Sequence, residues 1–589
     1  MKKFFIMFVL CTMTLAWGLI SCSDDDGETI KEYADLVVYG KIFTSESNAL
    51  AEAFAVKDGK YIFVGNKDAA AKYINADTKV IDRSGQGLVM AGCTDGHGHN
   101  IMSCFYNYSK YVIRMTAQDN SATILDKVRS WAEKYDNIPY IYGFGFDYIA
   151  LSTTNDFPTR QQLDAILSDV PVYLADGEGH KGIANSYCFE KAGILTPEGK
   201  VRDDFKYKQY VVVDKDSMPT GLLFEQAGTY VRTHGCITND GEDVWRLAVQ
   251  ETQYKLNSMG YTATIEGWAN KFGMVPYSVA KNMDKAGELT LNLGMAYEIE
   301  NLSKEEVNAG LQAVFDLNKS NTARVHTNFI KLFIDGTAET GTGYMLIPAP
   351  DGSNGFPIWQ PNELEDLTLR ANKNGVTMHI HTMGDAAVKE VVDAYEKAYK
   401  AGYRLRNQMV HLRNVDEADY DRMAKYDIVA SCGALWHRMP EGGEEYLADV
   451  LNKKYIDESY PYQSFLNHNV HTSISTDTPA TSGSPVDPFG IMEVAVTGTQ
   501  TFGEANNCPT PYNTEDCARD RADFLRSLTI EGAYQMLSEK TRGSIAVGKW
   551  ADFIFTNKDV LDVDECPNNQ LHEVFVEATY FEGKCVYNK

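Results

Sequence analysis

Hydrophobic and polar positions alternate along this chain with two periods. Short apolar or period-two runs fall near residues 88–95, 261–265, 289–298, 328–334, 376–381, 407–412, 428–433 and 470–476. Stretches of helical period separate most of them. The clearest is 386–400, where Val388, Val391, Val392, Tyr395 and Tyr399 share one face and Gly402 lies just past the end. Eight strands alternating with helices predict an α/β chain folded as a (β/α)8 TIM-type barrel. The two ends of the chain read differently. Residues 34–43 and 51–65 predict short alternating strands around a Lys-Asp-Gly turn, and 543–555 with 574–587 predict more of the same. They predict a small β-sandwich built from both termini, residues 34–90 with 540–589, around a barrel of residues 91–539. One gap breaks the rhythm, between the first strand and Tyr261. It is too long for a loop and carries strand-like runs of its own, so it predicts an insertion at about 105–240 over the barrel mouth.

The first residues read as an address. Lys2 and Lys3 precede an apolar stretch over 4–20, too short and wrongly flanked for a spanning helix, so residues 1–21 are read as a signal peptide. Leu19-Ile20-Ser21-Cys22 resembles the lipobox of bacterial lipoproteins, in which the cysteine becomes the lipid-attached first residue. The alternative is an ordinary signal peptide with a chance cysteine. Residues 22–33 would then be a tether. Within it, Ser23-Asp24-Asp25-Asp26 resembles the acidic tag that sends some lipoproteins to the cell surface; a plain solvated linker is the alternative. The expectation is a protein lipid-anchored in the bacterial envelope, at the outer membrane, on its periplasmic or its outer face.

Composition narrows the partners. The chain has 589 residues, 44% of them hydrophobic, enough for a large core and more than one domain. A formal net charge of −26 argues against nucleic-acid binding, which needs clustered Lys and Arg. Membrane contact is expected through the lipid anchor only, and the sequence is silent on oligomeric state. Of 11 cysteines, Cys11 leaves with the signal and Cys22 is the anchor. The remainder is odd in an oxidising compartment, so at least one thiol has no partner within the chain. Cys508 and Cys517 flank a polar loop and are the candidate disulfide. The others sit among apolar residues as buried thiols.

Five segments place metal-type ligands at the ends of apolar strands: His97 and His99, then Lys331, His381, His411 and Asp477. A His-x-His pair on a strand turns both imidazoles to one face. With the later ligands this makes a nitrogen- and oxygen-rich site for one or two divalent ions, such as zinc, and suggests a metal-dependent hydrolase. The positions fall on strands one, four, five, six and eight, at the face where barrel enzymes build their sites.

This distribution resembles the amidohydrolase superfamily. The segments 141–148 (IYGFGFDY), 158–160 (PTR), 178–186 (EGHKGIANS), 219–225 (PTGLLFE), 331–337 (KLFIDGT), 381–385 (HTMGD), 475–479 (STDTP) and 543–553 (GSIAVGKWADF) look like signatures of its YtcJ-like, amidohydrolase-3 branch. The likeness runs from about Ala34 to Tyr587. Two departures concern the pocket: Ala91-Gly92-Cys93-Thr94 stands where Pro-Gly-Phe is usual, and Glu178-Gly179-His180 where Asp-Gly-His is usual. The resemblance implies hydrolysis of a non-peptide C–N bond in a small-molecule amide, such as an N-acyl or N-formyl amine, by metal-activated water. Hydrolysis of a cyclic amide or ester is one alternative. A solute-binding surface lipoprotein without turnover is another, against which the full ligand set argues. Asp477 is expected to bind metal and act as general base. Lys331 is either a bridging carbamate or an ammonium paired with Asp335 or Glu225. His180 is either an electrophile at the substrate carbonyl or a structural histidine. His379 is expected to support a ligand rather than be one. Asp147, Asp335 and Glu266 are read as supporting residues. Phe144, Phe146, Trp268 and Trp436 are read as pocket lining or core.

Overall fold

A computed structural model describes residues 32–589, apart from 48, 136, 178, 237–239, 438–442, 480–485 and 499–518. The expected signal peptide, Cys22, the expected acidic tag and the candidate Cys508–Cys517 disulfide lie outside the described residues.

Eight parallel strands form the TIM-type barrel: Cys93–Gly98, Tyr261–Glu266, Asn292–Met295 continued by Tyr297–Glu298, Phe329–Phe333, Thr377–Thr382, Gln408–His411, Val429–Cys432 and Thr472–Ile474. Each pairs in parallel with the next. The ring closes where Asp477 N donates to His97 O at 2.8 Å and His99 N to Thr478 O at 2.6 Å. The Asp95 carboxylate adds to the closure, accepting from Thr476 N at 2.9 Å and Thr476 Oγ1 at 2.8 Å. Strand alternation then sorts the side chains. Ile330, Leu332, Met378 and Ile380 join Leu364, Leu367, Val388 and Val391 in the largest apolar cluster. Lys331, His379 and His381 alternate with them and face the barrel interior.

The predicted helix at 386–400 spans Asp385–Lys400. It buries Val388, Val391, Val392, Tyr395 and Ala398 on one face, each valine contributing ~1.5–3 kcal/mol relative to exposure. Gly402 ends it at φ +94°, and Tyr403 N returns to Ala398 O.

The terminal sheet has eight strands, from Leu36–Phe43, Leu50–Lys57, Lys60–Gly65, Lys79–Asp82 and Val89–Ala91 at one end of the chain and Phe553–Thr556, Val576–Phe581 and Lys584–Asn588 at the other. Phe54 and Phe553 lie on strands separated by two others, ~14 Å apart in a flat sheet. Their rings meet at 4.9 Å, so the sheet curls over its own core.

Two strand boundaries differ from expectation. The apolar run at 88–95 is two strands: Val89–Ala91 pairs with Phe553–Phe555 in the terminal sheet, and Cys93–Gly98 opens the barrel. Gly92 stands between them, where a Cβ would come within 2.3 Å of Thr262 Oγ1. At the C-terminal end only Phe553–Thr556 of the run at 543–555 is strand. Gly543 and Gly548 take φ +83° and +90°, which breaks the extended run before it.

Between barrel strands one and two lies a six-stranded mixed sheet over Val112–Val213 and Pro219–Phe224, with helices packed on it. Its core joins the barrel through Phe105, Trp245 and Phe272, the first two stacked at 4.0 Å. Of seven described free cysteines, six are buried and Cys585 is exposed. Among the described residues no helix is long and apolar enough to cross a bilayer.

Candidate metal centre

At the C-terminal ends of the barrel strands, His97, His411 and Asp477 each bring one ligand atom to within 4.8 Å of the others. His97 Nε2 and His99 Nε2 both lie 3.3 Å from Asp477 Oδ1, and His411 Nδ1 lies 4.0 Å from Asp477 Oδ2. His381 packs against His411 with ring centroids 4.5 Å apart. The backbone is bent to deliver these groups: His411, Leu412 and Asp477 take φ +77°, +52° and +50°. Left-handed non-glycine residues cost ~1–3 kcal/mol each. Here Leu412 N→Thr382 O at 2.9 Å and the Asp477–His97 barrel closure hold them in place.

The imidazole tautomers can be read from their partners. Gln535 Nε2 donates to Gln408 Oε1 at 3.0 Å, so that oxygen is an acceptor and takes a second hydrogen bond from His379 Nδ1 at 2.6 Å. His379 Nε2 then accepts, at 2.7 Å, from His97 Nδ1. This leaves the His97 Nε2 lone pair aimed at Asp477. Likewise His381 Nε2 faces the Gly336 carbonyl at 3.2 Å and must donate, which leaves its Nδ1 as the basic atom. His97 Nε2, His99 Nδ1 and His411 Nδ1 are buried without hydrogen-bond partners. Buried polar atoms are otherwise almost always paired. Imidazoles gathered around a carboxylate, with the His97 Nε2 lone pair facing it, fit a divalent cation in both charge and donor type.

The electrostatics agree. Burial, reinforced by the Lys331 charge, pushes His97 and His381 well below the usual histidine range, and burial with the His381 charge does the same to His411. All three are neutral and able to ligate at pH 7. Burial works to raise the Asp477 pKa, but His411, His99 and Lys331 overcome it and hold the carboxyl at about 2.

Lys331 is fully buried, and burial pulls it down to about 8. Neither carboxylate considered as its partner is available. Asp335 accepts from the backbone N–H groups of Tyr344, Met383 and Gly384 at 2.9–3.0 Å. Glu225 accepts from His180 Nδ1 at 2.8 Å and from Thr342 Oγ1 at 2.9 Å. Lys331 has no ion pair among the described residues; its ammonium lies 4.3 Å from the Phe333 ring centroid.

His180 comes from the insertion, is buried, and sits with its ring 5.3 Å from that of His381. The pairing with Glu225 fixes its orientation. Burial opposes ionisation of Glu225, but the His180 and Lys181 charges keep it below the usual carboxylate range.

A cavity of about 250 Å³ opens over these groups, lined by Met102, Phe144, Trp268, Phe333, Met383 and Trp436 as well as the polar cluster. Phe146 lies instead in the core of the insertion: alternation alone would put it on the face of Phe144, but the strand register shifts between the two, at Gly145 with φ +107°. Asp147 caps the helix Tyr148–Thr154, and Glu266 accepts from Ile101 N and Met102 N at the start of another. Sequence reasoning did not single out Lys271, which lines the cavity, or Gln408 and Gln535, which set the tautomers.

A formamide-acting relative, the N-substituted formamide deformylase of Arthrobacter pascens, is 26% identical over 561 residues, covering 92% of this chain and 96% of its own. The Bacillus subtilis (strain 168) protein YtcJ is 23% identical over 560 residues, covering 93% and 98%. A crystal structure of an uncharacterized metal-dependent hydrolase from Pyrococcus horikoshii OT3 superposes with a TM-score of 0.67 at 19% identity, covering 89% of this chain and 98% of that one. At that identity the likeness speaks for the fold. The sequence profile of the amidohydrolase family matches residues 79–587, and the chain belongs to that family.

Proposed function

We propose that this amidohydrolase cleaves a non-peptide C–N bond in a small-molecule amide, an N-acyl or N-formyl amine, at a divalent metal centre of one or two zinc-type ions. The observation that carries this reading is the buried cluster of His97, His99 and His411 around Asp477, in which the His97 Nε2 lone pair faces the carboxylate at 3.3 Å without a hydrogen-bond partner. The formamide deformylase of Arthrobacter pascens supports the choice of bond. His97, His99, His381, His411 and Asp477 would hold the metal. A divalent ion bound there supplies an acidified water and electron withdrawal from the scissile carbonyl.

The chain's own residues do the rest. Asp477, held ionised, takes a proton from the attacking water and passes it to the departing amine nitrogen. His180, steadied by Glu225, faces the same cavity and donates a hydrogen bond toward the substrate carbonyl oxygen. Lys331, buried, short of a partner and lowered in pKa to about 8, loses one proton to become the neutral amine, and Nζ then adds carbon dioxide with loss of a second proton, giving a carbamate whose oxygens would complete the ligand set. The aromatic lining excludes bulk water.

Turnover tests this reading. Zinc-loaded protein is expected to release amine and acid from a panel of N-substituted formamides and acetamides, and to lose that activity on chelation. A loaded, folded protein inert toward amides but active on cyclic amides or esters would move the assignment to those bonds. Inertness toward all of them would favour the solute-binding reading. We also propose that Cys22 anchors the chain to the envelope, on the sequence argument alone. A Cys22→Ala protein still tightly membrane-bound would contradict it.

A further inference from the structure

Four lysines are buried among the described residues: Lys181, Lys271, Lys281 and Lys331. Lys181 pairs with Asp176 at 3.4 Å, and Lys281 donates to Leu317 O and Ser320 Oγ at 2.9 and 2.8 Å. Lys331 belongs to the metal cluster. Lys271 has no such account. It is 8% exposed, lines the same cavity as the histidines, and has neither an ion pair nor a hydrogen bond from its ammonium among the described residues. Its surroundings are aromatic: Nζ lies 4.4 Å from the Trp268 ring centroid, 5.7 Å from Tyr142, 5.8 Å from Phe144 and 5.9 Å from Phe272. Two nearby acids do not reach it. Asp176 is occupied by Gly179 N, Lys181 N and Lys181 Nζ, and Glu298 forms no ion pair with Lys271.

The position is fixed from behind. Arg232 Nη1 donates to Lys271 O at 3.0 Å, and the Arg232 guanidinium lies 5.0 Å from the same Trp268 ring. Trp268 is in turn 6.5 Å from the His99 ring. The ammonium and the His99 ring thus lie near the same indole. Aromatic faces attract a cation but accept no strong hydrogen bonds, and an ammonium carries three donors. Burial and Arg232 push the amine down to about 7, so an anion arriving at Nζ would restore the full charge.

We propose that Lys271 is a specificity-determining residue that receives a carboxylate of the substrate, so that the amides cleaved here carry an anionic group beyond an apolar body, as in N-acyl amino acids with aromatic or large aliphatic side chains. The substrate amide faces the His97, His411 and Asp477 cluster, its apolar part lies among Trp268, Phe144 and Phe333, and its carboxylate meets Lys271. This rests on the hydrolase reading above and adds the substrate class to it. The rival account is that the rings alone satisfy the ammonium and Lys271 only packs.

Two ligands that differ in one group separate these accounts: N-acetylphenylalanine, as each enantiomer, and N-acetylphenethylamine, which lacks the carboxylate. Binding is measured calorimetrically on the zinc-loaded full chain, and hydrolysis on the same samples. One enantiomer of the carboxylate is expected to bind and react at least about tenfold better than the neutral compound, the scale of one charge-assisted hydrogen bond. Lys271→Met should erase that preference through KM, leaving the neutral compound within about twofold, and Lys271→Arg should keep part of it. Equal binding of the two, no binding of the carboxylate, or a preference that survives Lys271→Met would overturn the proposal. If Lys271→Met does not fold, the wild-type preference alone decides. Lysine-dependent binding without cleavage would leave carboxylate recognition by Lys271 standing and overturn the N-acyl amide reading of the bond that is cleaved. Cleavage of both compounds alike, unaffected by Lys271→Met, would do the reverse.

Discussion

Two clusters of buried polar groups can be compared within this one chain. Where the terminal sheet meets the barrel, Arg542 pairs with Asp552 and Glu582, and Arg324 with Glu582 at 2.5 Å and Asp284 at 2.7 Å. Glu582 N also donates to Asp552 Oδ1 at 2.8 Å. Each charge there meets an opposite one. At the barrel mouth three buried imidazole nitrogens lack hydrogen-bond partners, and the Lys331 and Lys271 side chains line the cavity with no ion pair among the described residues. The first cluster is closed and joins two parts of the fold. The second is incomplete as protein, which is the signature of a place where a cation and a substrate complete the bonding.

The largest effect expected is at the mouth. Asp477→Asn should lower kcat by at least about a hundredfold, the scale for loss of a general base, with much of the substrate affinity kept. Metal content must be measured on the same sample, because the same carboxylate is a ligand. A variant with full metal and near-normal kcat would move the base to His180 or a carboxylate of the insertion. The closed cluster should respond in the opposite way. Arg542→Met leaves Asp552 buried without its cation and should cost about 3–5 kcal/mol in denaturant unfolding, with metal binding and kcat of the folded fraction unchanged. An Arg542 variant of normal stability would show that the closed cluster is not what joins sheet to barrel. A smaller effect separates the two from within the mouth. His379→Phe removes the acceptor that fixes the His97 tautomer, so zinc affinity should fall about 10–100-fold while the melting temperature of the metal-free protein changes little. Unchanged zinc affinity would reduce His379 to packing.

The barrel was legible because its strands are buried on both faces and read as apolar runs, with the ligating residue breaking each run at its end. That pattern exposes His97, Lys331, His381 and His411 to inspection. It cannot show where one sheet gives way to another. Val89–Ala91 is as apolar as the barrel strand after it, and only the Gly92–Thr262 contact reveals the change. Nor can periodicity see partners brought together by the fold. Lys271 lies in a loop, and its Tyr142 and Phe144 neighbours belong to the insertion. Glu225 meets His180 across two strands of that insertion, and Gln535 reaches Gln408 from a helix near the end of the chain. In the sequence each is an unremarked polar residue. The pairing of Lys331 with Asp335 or Glu225, reasonable from charge alone, fails because backbone N–H groups and His180 hold those carboxylates.

The account stands or falls on whether the incomplete cluster is completed by metal. Elemental analysis of the full chain purified without chelator, alongside the same protein with His97 and His411 both changed to Ala, tests this directly. The wild type should carry one to two equivalents of zinc or a similar transition metal, and the double variant little or none while keeping the far-UV spectrum of the fold. A wild-type protein without tightly held metal, which takes up none when titrated with zinc at pH 7, would contradict the central claim.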